Sequence, residues 1–252
     1  MLNNIAEYVS PFVTLGIPID YKGIKLYPFT VEKWYEFYYT IDILNIDKNE
    51  SADISIIQMS YLQYIIDILF KDEENGKLYI QKFYTLLYNL TNIDVAKMNI
   101  LLDSNNKYIL DINGTQINAT EFNELRRIIL YQNIYDYDDV EMSADFKKAW
   151  NDYLEVKNRG IQPPSLQLKI ATVQSQCGFN RNDILKMTLI EFEEIFNSCV
   201  KWEEYKINKI AETSGNVKFN KPIEHPVWHK KHDKYRDMFV DADDYSKKIT
   251  SI

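Results

Sequence analysis

The sequence has little of what most enzyme active sites require. Three histidines occur in 252 residues, and all of them lie near the C-terminus, as His225, His229 and His232. The rest of the chain therefore offers no Ser–His or Cys–His nucleophilic pair. It also lacks a Gly-rich phosphate loop, a G-x-S-x-G elbow and a C-x-x-C pair. We expect a protein that is not an enzyme and needs no cofactor, although catalysis by carboxylates alone stays open.

Targeting signals and long apolar runs are absent as well. The first ten residues, MLNNIAEYVS, contain neither the basic cluster nor the apolar core of a secretory signal. The apolar run at 65–70 is interrupted by Asp67 and is far shorter than the ~20 residues of a membrane span. Cys177 and Cys199 are expected to be small buried residues in a reducing compartment. These features predict an intracellular protein without a membrane partner.

The composition is that of an ordinary globular protein, with 46% hydrophobic and 26% charged residues. The formal net charge of -8 should repel nucleic acids and anionic lipids. Tyr, Ile, Asn and Lys are all abundant, with 19 tyrosines among them. AT-rich codons specify these four residues, which indicates a genome of a low-GC bacterium or of one of its phages.

The residue pattern predicts a mainly helical α+β fold. Alternating residues on both sides of Lys22-Gly23 predict an N-terminal β-hairpin over 17–27, and a three-stranded meander is predicted over 99–117 because Asn113-Gly114 favours a tight turn. Helical spacing predicts helices near 31–42, 55–71, 76–91, from 119 onward, and at 144–158, 165–176, 180–186 and 189–212.

Three helices carry capping residues at their predicted starts. Thr30 is expected to cap the helix after the hairpin, whereas Asn118 with Glu121 and Thr188 with Glu191 have the spacing of capping boxes. In the helix after Thr30, three-and-four spacing predicts one apolar face, expected to be core, formed by Val31, Trp34, Tyr35, Tyr38, Ile41 and, at its edge, Asp42.

Charge and composition divide the chain into four segments. We expect a mixed α+β domain over 1–135, an acidic linker over 136–145, a helical domain over 146–215 and a basic, partly extended tail over 216–252. Between 218 and 236 there are six basic residues and only two acidic ones, Glu224 and Asp233, so this segment has a net positive charge, unlike the remainder of the chain.

The tail supports two hypotheses about binding. The spacing of His225, His229 and His232 is compatible with a metal site, but Pro226 would disturb a regular helix, so a solvated polar tail is the preferred interpretation. Basic and aromatic residues alternate in the tail, as in segments that bind phosphates or dock on acidic proteins. A protein partner is preferred over nucleic acid because the rest of the chain is acidic. The partner-binding candidates are Phe219, Trp228, Lys230, Lys231, Tyr235 and Arg236, with Trp202 and Tyr205 in the last predicted helix.

Two stretches carry a resemblance to a known family. The first is FNELRRIILYQN at 122–133, followed by the acidic YDYDD. The second runs from 163 to 228 and includes PPSL, DILKMT at 183–188, SGNVKF at 214–219 and PIEH at 222–225. The chain resembles tail-morphogenesis proteins of tailed phages of low-GC Gram-positive bacteria, which include tail assembly chaperones and small tail or baseplate proteins. The spacing of His225 and Trp228 departs from the family pattern.

The resemblance implies a protein that binds a tail component, such as a tape-measure-like protein, during virion assembly in the host cytoplasm. A structural subunit of the tail, baseplate or another part of the virion is the alternative. The third hypothesis is a metal- or nucleic-acid-binding regulator that acts through 218–236. Self-association is compatible with each of them.

Overall fold

The computed structural model of the chain confirms the mainly helical α+β class, since 62% of it is helical and the strands form two small antiparallel sheets. The described residues are 4–48, 51, 53–139, 144–160, 162–214, 219, 223 and 225–227. They form two compact units, one from Met1–Val140 with Val173–Ile195 and the other from Glu141–Thr172 with Phe196–Ile252. The chain passes from one unit to the other after residues 140, 172 and 195, and the first of these points lies in the predicted acidic segment 136–145. Residues 173–195 belong to the same unit as the N-terminal part.

The N-terminal part of the first unit contains five helices and a short hairpin. The elements, in chain order, are α1 Ile5–Leu15, β1 Ile19–Tyr21, β2 Ile24–Leu26, α2 Trp34–Thr40, α3 Ile54–Gln58, α4 Tyr61–Tyr64 and α5 Gly76–Thr91. The hairpin is confirmed, and its strands bury alternate residues. Between α4 and α5 the chain makes a π-helical turn at Ile65–Leu69. A Cβ at Gly76 would lie 2.4 Å from the Phe70 carbonyl oxygen, so glycine is needed there.

The predicted meander is confirmed as a sheet in the order β3-β4-β5, formed by Met98–Leu102, Tyr108–Ile112 and Thr115–Ile117. Asn113 and Gly114 both have positive φ, at 52° and 86°, which the tight turn requires. Helix α6, Ala119–Asn133, follows directly. Its start carries the predicted capping box, because Asn118 accepts from the Glu121 backbone and Glu121 accepts from the Asn118 backbone.

The segment at residues 26–31, called here the central segment, runs from the end of β2 to the start of a 3₁₀ turn at Val31–Lys33 and binds the end of α5, the end of α6 and the start of the later helix Leu189–Thr213. Gln132 Nε2 donates to Leu26 O at 2.9 Å, and the Tyr27 N–H donates to Leu90 O at 2.7 Å. Farther along, the Phe29 N–H donates to Asn133 Oδ1 at 2.7 Å. Pro28 has no N–H, so every backbone donor from 27 to 29 is satisfied without a strand partner.

The same segment also holds residues 187–189 in the first unit. The Val31 N–H donates to Met187 O, the Leu189 N–H donates to Phe29 O, each at 3.0 Å, and Thr30 forms an antiparallel bridge with Thr188. These bonds explain why α9, Arg181–Lys186, and the start of α10, Leu189–Thr213, group with the N-terminal part.

The other two capping predictions have opposite outcomes, one confirmed and one wrong. Thr188 and Glu191 form the predicted capping box at the start of α10. Thr30, in contrast, makes no side-chain cap, and a 3₁₀ turn at Val31–Lys33 precedes α2. The reason is that Thr30 is fixed in the bridge with Thr188, with an extended backbone.

The second unit contains α7, Ala144–Lys157, and parts of α8, Leu166–Cys177, and of α10. Within it the Lys169 ammonium lies 5.3 Å from the centroid of the Phe196 ring, and Ile170 is buried. No helix in the described residues is long and apolar enough to cross a bilayer.

Several local predictions were wrong or missed. Helix α1 was not predicted, and the helix expected near 55–71 is broken at Met59, where the backbone becomes extended. Cys199 is buried as expected, whereas Cys177, the last residue of α8, is exposed. The acidic segment is not simply solvated, because Asp139 accepts hydrogen bonds from Arg127 Nε at 2.5 Å and from the Tyr131 hydroxyl at 2.6 Å.

The bond between Phe29 and Asn133 predicts a measurable loss of stability. Replacing the buried Asn133 by alanine leaves the Phe29 N–H without an acceptor, which should lower the free energy of unfolding by about 1–3 kcal/mol. Asn105→Ala, at an exposed turn, should change it by less than about 0.5 kcal/mol. Urea unfolding followed by circular dichroism measures both, and equal effects would contradict the role of Asn133.

The two threonines of the bridge provide a matched test of capping. Thr188→Val keeps the shape of the side chain but removes the hydroxyl that accepts from the Glu191 N–H, and should cost about 1 kcal/mol. Thr30→Val should cost less than about 0.5 kcal/mol, because the Thr30 hydroxyl caps nothing. Thermal unfolding of the two variants under the same conditions distinguishes the caps, and a larger effect at Thr30 would show the assignment to be wrong.

Candidate functional site

Helix α2 exposes three tyrosines on one side. The exposed fractions are 77% for Tyr35, 55% for Tyr38 and 47% for Tyr39. Because 3.6 residues make a turn, positions 35, 38 and 39 lie on adjoining parts of the helix surface. We call these three residues the tyrosine face. Clustered exposed aromatic side chains on a folded protein are typical of a binding surface.

The tyrosine face stands on a rigid aromatic base. Trp34 lies 4.7 Å from the Tyr38 ring and 6.1 Å, edge to face, from the buried Phe192 ring. Phe37, which is 1% exposed, lies 5.1 Å from the Phe29 ring of the central segment. The inner side of α2 is therefore packed against the rings of Phe29 and Phe192, and the opposite side carries the exposed rings.

Acidic groups border the tyrosine face. Burial, and then the negative charge of Glu193, raise the pKa of the Tyr38 hydroxyl. Asp42 is exposed and pairs with Lys82 Nζ at 2.5 Å, and the same ammonium lies 4.9 Å from the Tyr39 centroid. Lys82 therefore neutralises Asp42 and also lies close to the Tyr39 ring, so the border of the tyrosine face is polar and charged.

The sequence pattern placed this face incorrectly. Tyr35 and Tyr38 were expected on the core side with Val31 and Ile41, but both are exposed, and Phe37 takes the core position. Both sides of α2 carry large aromatic residues, so the helical period alone cannot select the buried one. The position of Phe29, set by the central segment, selects Phe37.

The second unit brings together three residues that the sequence singled out. The Trp202 ring lies 5.9 Å from the Tyr205 ring, and the His225 imidazole lies 5.2 Å from Trp202 and 5.1 Å from Tyr205. The Val227 N–H donates to His225 Nδ1 at 3.3 Å. His225 is therefore packed in an aromatic cluster with two of the predicted partner-binding residues.

The remaining predictions for the tail are mostly outside the described residues. Phe219 is described and is 38% exposed. The other partner-binding and metal candidates lie beyond the described part, namely Trp228, His229, Lys230, Lys231, His232, Tyr235 and Arg236. Among the described residues, no group of three His, Cys, Asp or Glu side chains is arranged to hold a metal ion.

A surface depression of about 420 Å³ lies in the first unit, beside the start of α6. Tyr21 donates to the Glu121 carbonyl at 2.9 Å and to Glu124 Oε2 at 3.1 Å, and Lys22 pairs with Glu121 at 2.5 Å. Burial, together with the hydrogen bond and charge of Glu124 and the charge of Glu121, raises the pKa of Tyr21. These contacts satisfy the polar groups with one another, so the depression has the character of a structural network.

Comparison with family models, with curated proteins and with solved structures found no match for this chain.

The two sides of α2 should respond very differently to substitution. Phe37→Ala removes a fully buried ring and should lower the free energy of unfolding by about 3–5 kcal/mol. Tyr35→Ala removes a ring that is 77% exposed and should change it by less than about 0.5 kcal/mol. Urea unfolding of each variant measures this difference. A large loss of stability for Tyr35→Ala would mean that the tyrosine face serves the fold.

Proposed function

We propose that this protein is a non-enzymatic binding protein of phage tail assembly, and that the tyrosine face binds its partner. The observation that supports this most strongly is the presence of three exposed tyrosines on one short helix whose inner side is firmly packed. The resemblance of 122–133 and 163–228 to tail-morphogenesis proteins supplies the biological setting of the proposal.

Tyrosine is suited to such a task. Its ring covers a large apolar area, its hydroxyl remains compatible with water, and few rotatable bonds lose freedom on binding. Tyrosine and tryptophan are also enriched among the residues that contribute most to protein–protein affinity. Tyr38 and its neighbour Trp34 are already in contact, so part of the entropic cost of ordering the surface is met in the free protein.

The exposed rings indicate the chemistry of the partner. Exposed aromatic rings fit the apolar side of an amphipathic helix, and the faces of tyrosine rings also attract a lysine or arginine beside that side. A tape-measure-like protein has long helical segments, which would expose apolar surface before assembly and aggregate. We propose that the tyrosine face covers one such segment.

Binding should depend on the tyrosine face itself. In a co-purification or titration with the tape-measure-like protein of the same phage genome, Tyr35→Ala and Tyr38→Ala should each weaken binding about 30-fold, since an aromatic residue at the centre of an interface contributes about 2 kcal/mol. Tyr88→Ala on α5, where the side chain is 48% exposed, is the matched control and should bind normally.

Equal affinity of the α2 variants and the control would refute the tyrosine face as the binding site. Mass spectrometry of purified virions then separates the two roles in assembly. An assembly chaperone should be missing from the finished particle, whereas a tail or baseplate subunit should be present at many copies. Detection in the virion would replace the chaperone role with the structural one.

A further inference from the structure

Strand β3 has an open edge. It pairs with β4 alone, so its other side is the border of the sheet. The Asn113 N–H donates to Lys97 O at 2.8 Å and the Asp103 N–H donates to Lys107 O at 2.9 Å. Bonded pairs alternate along an antiparallel ladder, so the odd-numbered residues of β3 bond with β4. The even-numbered residues direct their N–H and C=O groups outward.

The outward groups at the centre of this edge belong to Ile100 and Leu102. No described residue forms a strand pair with them on that side. Exposed sheet edges normally carry a charge, a proline or a bulge that prevents pairing with another chain. The sequence of β3, MNILL, has neither a charged residue nor a proline, and its five residues pair with β4 in unbroken register.

Apolar side chains accompany the open backbone. Leu101 is 39% exposed on one face of the sheet, and Leu102 is 58% exposed on the other. A strand that pairs here must therefore offer backbone groups at every second residue and apolar side chains on both faces. The strand β3 itself meets these requirements.

We propose that two copies of this protein pair through β3, antiparallel and around a two-fold axis at Leu101. In this register each Ile100 is opposite Leu102 of the other copy, and both exchange their N–H and C=O bonds. The two Leu101 side chains face each other at the axis, and the six strands of both copies form one continuous sheet. The two-fold pairing uses the β3 edge of both copies, so this contact closes at a dimer.

Repulsion between the two negatively charged copies should weaken this dimer. Each copy carries a formal charge of -8, which opposes association, whereas the paired strands themselves are uncharged. Salt screens the repulsion between the copies without weakening the apolar contacts. The dimer should therefore be weak at low salt and strengthen as salt is added, which is opposite to the behaviour of a dimer held by ion pairs.

Sedimentation of the full chain over a range of concentrations and salt tests the proposal. We expect a reversible monomer–dimer equilibrium that strengthens with salt. Hydrogen exchange at the Ile100 and Leu102 amides should slow as the concentration rises, because these two N–H groups become bonded. A monomer at all concentrations, or exchange that does not depend on concentration, would overturn the proposal.

Two variants test the position of the axis. Leu101→Lys places two like charges opposite each other and should weaken the dimer at least about 10-fold, as should Leu101→Glu. An equimolar mixture of the two variants should dimerise again, since opposite charges then meet at the axis. Leu15→Lys, at a residue of α1 that is 68% exposed, is the control and should dimerise normally.

The mixture also serves as a control for variants that fail to fold. Restored dimerisation shows that both variants fold and that residue 101 faces its copy. A dimer that is insensitive to Leu101→Lys would place self-association on another surface and refute the pairing of β3. A mixture that stays monomeric, with the helical circular dichroism of the unchanged chain, would refute it as well.

Discussion

The hydrogen bonds of the central segment, residues 26–31, are the constraint on which the first unit depends. Residues 27–30 of this segment lie outside the helices and sheets, so their backbone groups have no regular partners. Buried N–H and C=O groups nevertheless need acceptors and donors. They find them at the end of α5, at the end of α6 and at the start of α10. Three helices that are far apart in sequence are thereby bonded to one short stretch of chain. For the Phe29 N–H the acceptor is the side chain of Asn133, because no backbone carbonyl in the described part of the chain accepts from it.

The same constraint determines which side chains of α2 are exposed. Phe29 is fixed by bonds on both its N–H and its C=O, and its ring selects Phe37 as the inward side chain of α2. Once Phe37 points inward, Tyr35 lies on the solvent side, because two residues correspond to about 200° around a helix. Tyr38 follows Phe37 directly and lies at the edge of the buried side, with its ring 5.2 Å from the Phe37 ring and 55% of the residue exposed. The packing of the core thus determines which positions of α2 are exposed. It does not require that these positions carry tyrosine.

The features that could be predicted from sequence are those determined by neighbouring residues. The turn at Asn113-Gly114 and the capping boxes at Asn118 and Thr188 depend on residues no more than three positions apart, and all three were predicted correctly. The bond between Phe29 and Asn133 joins residues 104 positions apart, and no local pattern indicates it. The failure at Thr30 has the same origin, because a distant partner, Thr188, determines its backbone. The predicted site in the tail is described only at Phe219 and His225, whereas the tyrosine face needed the tertiary contacts of α2.

The two proposed binding surfaces of the first unit use different interactions. The tyrosine face would bind a helix through aromatic rings, whereas the β3 edge would bind a strand through backbone hydrogen bonds, so the two partners would not compete. The proposed dimer through β3 would carry two tyrosine faces. After the first face had bound one segment of a long helical partner, the second face would be at high local concentration beside the next segment. Weak contacts at each face would then be sufficient for stable binding to an extended partner and would still permit release.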